Sequence, residues 1–196
     1  MIDERLERWL DELLETRGLT AIDSREDAYL VHVEGSLAPL SHVARFEGPI
    51  VDVGSGGGSP GIPLAAALPD RRVTLLEANA RKAAFLELIA ADFPNVEVVR
   101  GRAEEQDTDV YGVAVARALA PPPIAAEWCL PLVREGGGAV LYVGPTADRD
   151  AVARVAAKVG RGEPEAHPGV IVVSKVRPTP RGFPRRPGMA RKRPLS

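Results

Sequence analysis

A chain of 196 residues, 45% apolar and 27% charged, has the size and composition of one globular unit with a sizeable core. No apolar run approaches the roughly 20 residues that a membrane span needs, and the opening Met1-Ile2-Asp3-Glu4-Arg5 has neither the basic start nor the apolar core of a secretory signal, so a cytoplasmic location is expected. A single cysteine, Cys129, and three scattered histidines exclude an internal disulfide and offer no metal cluster, while the net charge of -2 hides an asymmetry: residues 177–196 hold seven Arg/Lys and no acid, leaving 18 basic against 27 acidic groups elsewhere.

Leu6, Leu10, Leu13 and Leu14 recur at helical spacing behind acids in the first turn, and Gly18 offers a stop, which predicts one amphipathic helix. A second is predicted from about Arg25 to Val43, with Leu30, Val33, Leu37 and Leu40 on one side. Short apolar runs and helical segments then alternate. Ile50 to Val53, Val73 to Leu76, Val96 to Val99, Val113 to Val115, Ala139 to Val143 and Val170 to Val173 read as strands. Helices are predicted from Pro60, from Asn79 to about Ala91, after Pro121-Pro122-Pro123, and from Asp150 to Val159. Gly160 to Pro168 leaves little room for a further strand.

Valine-rich runs without a polar face are what a parallel sheet covered on both sides demands. The expected fold is therefore α/β, a doubly wound, mostly parallel sheet with helices in front. Residues 1–46 read as a helical extension, 47–176 as the ligand-binding core and 177–196 as a basic tail with five prolines among its last nineteen residues, which oppose a regular helix. An acidic body with such a tail suggests a polyanionic partner gripped by Arg181, Arg185, Arg186, Arg191, Lys192 and Arg193. A solubilising disordered end is the plain alternative.

Ile50-Val51-Asp52-Val53-Gly54-Ser55-Gly56-Gly57-Gly58-Ser59-Pro60-Gly61 joins a buried strand to a helix through glycines, at the place where such sheets bind ligands. A nucleoside triphosphate loop needs Lys-Ser/Thr after the glycines, and Ser59-Pro60-Gly61 has none. A dinucleotide loop prefers a sixth-position glycine where Ser59 stands. S-adenosylmethionine fits better: Asp52 can approach its cationic methionine end, Gly54, Gly56 and Gly58 admit the backbone, and Glu77 can accept both ribose hydroxyls. Arg102-Ala103-Glu104-Glu105 follows the third strand, where Glu104 can take an adenine amine. Arg117 ends the fourth strand, where the methyl meets its acceptor.

Val51 to Leu64, Leu75-Leu76-Glu77 with Arg81-Lys82 and Phe85-Leu86, Arg102-Ala103-Glu104-Glu105 and Arg117-Ala118 together resemble the glucose-inhibited-division B family. Leu19-Thr20-Ala21-Ile22, His32-x-x-x-Ser36-Leu37 and the endings Phe183-Pro184-Arg185-Arg186-Pro187-Gly188 and Lys192-Arg193-Pro194-Leu195 extend the likeness over about 175 residues. The resemblance implies a class I, Rossmann-like methyltransferase that transfers a methyl group from S-adenosylmethionine to N7 of a guanine in 16S ribosomal RNA of the small subunit. It places cofactor contacts at Gly54, Ser59, Glu77, Ala78, Asn79, Ala103, Glu104 and Arg117. The chain departs from the family's pattern at Gly35, Ala116 and Gly144-Pro145.

Guanine N7 carries no proton, so no base is required, and Arg117 is the residue expected to align cofactor and target. A monomer acting on 16S RNA or the small subunit is expected. Deleting residues 181–196 is expected to weaken RNA binding and to spare cofactor affinity. The alternatives are a methyltransferase with another RNA, protein or small-molecule acceptor, a non-catalytic RNA-binding assembly factor, and a nicotinamide oxidoreductase.

Overall fold

The computed structural model describes residues 3–195; the start at residues 1 and 2 and the final residue 196 lie outside the described residues. Helix α1 (Glu4–Glu15) is capped by Asp3, whose carboxylate accepts the Arg5 amide at 3.0 Å, and it buries Leu6, Trp9, Leu10 and Leu13. The single long helix predicted next is instead four pieces: α2 (Arg25–Ala28), a π-helical segment (Tyr29–Glu34), α3 (Gly35–Leu37) and α4 (Leu40–Ala44). The wider π turn shifts the phase of the helix. Leu30, expected to face inward, is therefore 48% exposed, while Val33 stays buried.

The sheet follows as β1 (Ile50–Val53), α5 (Gly61–Ala67), β2 (Val73–Glu77), α6 (Ala80–Ala90), β3 (Val96–Arg100), β4 (Tyr111–Arg117), α7 (Pro122–Cys129), β5 (Val133–Tyr142), α8 (Arg149–Ala156), β6 (Arg161–His167) and β7 (Val170–Lys175), with a last short helix α9 (Met189–Lys192). Strand order is β3-β2-β1-β4-β5-β7-β6, parallel from β3 to β5, with β7 antiparallel to β5 and β6 antiparallel to β7. The predicted doubly wound sheet is present. A strand at Arg161–His167, not expected from the sequence, completes its edge.

Alternate residues of the central strands feed two apolar layers. Ile50, Val73, Leu75, Val113 and Val115 join α1, α5 and α6 on one face; Val51, Leu76, Ala114 and Leu141 join α7 and α8 on the other. The central strands β2, β1, β4 and β5 are covered on both faces, whereas the edge strands β3 and β6 keep exposed polar positions such as Glu97 and Glu165. The order reverses between β1 and β4, and the crevice at their carboxyl ends is where an open sheet of this kind holds a ligand.

Candidate active site

The loop after β1 is built before it meets any ligand. Gly54 and Gly56 take φ of +73° and +58°, the left-handed region that glycine enters freely. A Cβ on Gly61 would collide with Leu75 and lie 2.7 Å from Asp52 Oδ2. Trp9 of α1 donates its indole N–H to the Gly57 carbonyl at 2.8 Å, and Leu13 packs where a Gly57 side chain would stand. The N-terminal helices thus form one wall of the loop.

Asp52 does not meet the cleft. The strand period puts its side chain on the face of Ile50, under α5, where it is 1% exposed and accepts the Gly61 amide at 3.0 Å. Its other oxygen has no hydrogen-bond partner among the described residues. Burial, aided by the nearby Glu77 charge and opposed by the Gly61 amide, pushes its carboxyl up to about 7. The expected contact with a methionine end is therefore corrected: Asp52 fastens the Pro60-Gly61 turn.

Glu77 ends β2 one step beyond the register pair of Val53 and Leu76. Its Oε2 accepts the Gly56 amide at 2.9 Å and its Oε1 the Asn79 amide at 2.7 Å, leaving each oxygen room for one more donor. It lines a cavity of about 340 Å³ with Gly54, Ala78, Ala103 and Glu104, with Lys82, which entered the sequence reading only through the family resemblance, and with Trp128, which the sequence did not single out. A second cavity, about 300 Å³, shares Gly54, Lys82 and Ala118 with it and is lined by Gly56, Ser59, His32 and Arg117. Two assigned cofactor contacts fall outside both cavities besides Asp52. Gly58 packs against Ile62 and Trp9, and the Asn79 side chain caps α6 by accepting the Arg81 and Lys82 amides at 3.0 and 3.2 Å.

Arg117, at the end of β4, donates through Nη1 to the carbonyl of Val31 at 2.8 Å, to Ser59 Oγ at 3.1 Å and to Ser36 Oγ at 3.3 Å. Ser36 and Ser59 are bonded to each other at 2.9 Å, and Tyr142 donates to the Ser36 carbonyl at 2.7 Å. No acid pairs with Arg117 among the described residues. A Cβ on Gly35 would lie 3.7 Å from Arg117 Nη2, so an acid at that position would stand beside the guanidinium; the glycine leaves it unpaired. Beyond Arg117 a third cavity, about 400 Å³, is lined by Gly35, Tyr142 and Gly144. His32 meets Thr20 Oγ1 through Nε2 at 3.0 Å, and burial beside Arg117 lowers its pKa.

The basic tail is packed, not free. Arg185 closes a two-pronged pair with the buried Glu127 of α7 at 2.6 and 2.7 Å, which removes it from the set expected to grip phosphate. Arg181, Arg186, Lys192 and Arg193 remain exposed, and Arg191 reaches the first cavity.

The ligand implied is a nucleoside joined to an amino acid. Cavities of this summed size suit it. Glu77 offers free acceptor positions at the wall, Gly54 offers bare backbone, and Trp128 Nε1 has no partner among the described residues. The residues present fit S-adenosylmethionine. No group of three His, Cys, Asp or Glu side chains converges among the described residues.

A family model described as GidB, rRNA small subunit methyltransferase G, matches residues 3–164. Proteins named ribosomal RNA small subunit methyltransferase G are similar over most of the chain. That of Alkaliphilus oremlandii is 34% identical, covering 97% of this chain and 90% of its own; that of Moorella thermoacetica is 36% identical, covering 90% and 82%. Among solved structures, an S-adenosylmethionine-dependent O-methyltransferase of Thermotoga maritima matches with TM-score 0.61 at 18% identity, covering 86% of this chain and 71% of that one. A 16S rRNA N2 G1207 methyltransferase of T. thermophilus, solved with AdoMet and guanosine, matches with TM-score 0.52 at 16% identity, covering 69% and 37%. At those identities the structural likeness speaks for the fold.

Proposed function

The chain belongs to the rRNA small subunit methyltransferase G family, and from that premise we propose that it transfers the methyl group of S-adenosylmethionine to N7 of a guanine in 16S RNA of the small ribosomal subunit. The observation that carries this reading is the Glu77 carboxylate, held by the Gly56 and Asn79 amides on the wall of a cavity that continues past the glycine loop to Arg117. Glu77 accepts the ribose hydroxyls, Glu104 the adenine amine, and the backbone at Gly54, Ala78 and Ala103 shapes the space between them. Ser59 and Arg117 border the methionine end.

When bound, the cofactor supplies a methyl carbon already activated by its sulfonium. Guanine N7 brings a lone pair and no proton, so no side chain has to remove one. His32, with its pKa lowered by burial, stays out of the chemistry as a neutral support. What the chain contributes is alignment, an effect worth up to roughly 7–11 kcal/mol. Arg117 separates the second cavity from the third, and its unpaired donors suit a base edge or phosphate. The target base leaves its stack to enter from that side. Arg181, Arg186, Lys192 and Arg193 hold RNA phosphates. No described helix is long and apolar enough to cross a membrane, and a monomer working in the cytoplasm accords with this reading.

The test is transfer of labelled methyl from S-adenosylmethionine to small subunits from cells lacking the family enzyme, followed by mapping of the labelled base. Label at one guanine N7 of 16S RNA is expected. Label elsewhere, or none while the cofactor binds, overturns the assignment.

A further inference from the structure

After β7 the chain passes under the sheet and climbs its height. Lys175, whose side chain is wholly buried, holds Asp109 at 2.7 Å and the Leu130 carbonyl at 2.9 Å, and Thr179 joins the same group. This fixes the segment at the amino-terminal end of β4. The Arg185–Glu127 pair fastens it to α7. Farther up, Gly188, left-handed at φ +81°, donates its amide to Glu104 Oε1 at 3.1 Å. Arg191 spreads over the Trp128 ring, 5.3 Å from its centroid, and reaches the Leu119 carbonyl at 3.4 Å. Ala190, between them, is buried. Gly188, Arg191, Trp128, Glu104 and Leu119 all line the cavity that Glu77 lines.

We propose that this strap forms the outer wall of the nucleoside half of the cofactor site, with Gly188 and Arg191 as cofactor-positioning residues, so that the segment serves the cofactor on one face and RNA on the other. The inference rests on the reading of that cavity as the S-adenosylmethionine site. Glu104 carries the argument. The Gly188 amide occupies one carboxylate oxygen and fixes the rotamer, which leaves the other oxygen to accept an exocyclic amine. Trp128 and Arg191 add two stacked planar groups to the same wall, a surface suited to a flat base. The side chains of Arg181, Arg186, Lys192 and Arg193 have no acid partner among the described residues and stay available to phosphate. On this reading the separation expected from the sequence, a tail for RNA and a core for cofactor, does not hold.

Calorimetric titration of the full chain with S-adenosylhomocysteine and with 5′-methylthioadenosine, which lacks the amino-acid end, tests this. Arg191→Ala should weaken both ligands about 5- to 20-fold, Arg191→Lys should lie between it and the parent, and Arg177→Ala, the same charge loss outside the cavity, should leave both within twofold. A ligand-free melt of each variant separates a local effect from unfolding. Parent-like binding by Arg191→Ala overturns the strap assignment alone, as does a loss confined to S-adenosylhomocysteine. Failure of the parent chain to bind either ligand overturns the cofactor reading with it.

Discussion

The carboxyl ends of β1 and β2 lie side by side in register and each carries an acid, yet the two acids have opposite surroundings. Asp52 sits within the paired part of β1, where α5 covers it; one oxygen holds the Gly61 amide and the other has no partner among the described residues. Glu77 is the last residue of β2, past the pairing of Val53 with Leu76, and both of its oxygens accept amides at the cavity wall. Two steps of register divide a carboxyl that fastens the loop from one that faces the cavity. In sequence the two look like a matched pair.

The contrast has measurable consequences. The largest is at Glu77: Glu77→Ala removes an acceptor of charge-assisted hydrogen bonds, each worth about 1.5–3 kcal/mol. It should weaken S-adenosylhomocysteine in calorimetry on the order of 100-fold or more. Asp52→Ala should instead appear in the melt, as a loss of about 1–3 kcal/mol for the orphaned Gly61 amide, with ligand affinity reduced less than tenfold. Equal losses of affinity in the two variants would erase the distinction.

The same pair has a pH signature. Because the folded chain raises the Asp52 carboxyl to about 7 from an ordinary 3.8, folding favours its protonated form. The stabilisation is complete below about pH 4 and is lost as pH rises through 7. Asp52→Asn, which keeps an acceptor and cannot ionise, should therefore gain on the parent by several degrees in melting temperature between pH 5 and pH 8, at about 2–4 °C per kcal/mol for a chain of this size. A gap that widens in the parent's favour would contradict the assignment. The smallest effect belongs to a charge outside both strand ends: Arg186→Ala should leave the melt and cofactor affinity alone and lower the salt slope of RNA binding by about one.

Five of the six expected strands were legible because valine and isoleucine fill both faces of the sheet, and β3 because Val96, Val98 and Val99 recur there. Arg161–His167 was not, since an edge strand with one neighbour needs little apolar surface and tolerates Pro164. Leu30 misled because helical spacing assumes a constant turn, which the π segment breaks. Within the site, the spacing of Glu77, Glu104 and Arg117 marked residues that the fold brings to one row of cavities. The burial of Asp52 depends on its depth in the sheet beneath α5, and the placing of Trp128 and Gly188 on the cavity wall on contacts across the fold, neither of which a linear motif carries. The tail misled most: its composition speaks of charge, whereas Arg185 spends its charge on Glu127.

The strap also bears on the order in which the molecule becomes competent. Every strand of the sheet precedes Gly188 and Arg191 in the chain. Protein synthesis runs from the amino terminus and folding follows it. A nascent chain therefore has its sheet and glycine loop in place while one side of the cavity lined by Glu77 is still unmade, and that side closes only when Gly188 and Arg191 have been translated and packed beside α7. A truncated product would keep a folded sheet and lack that wall.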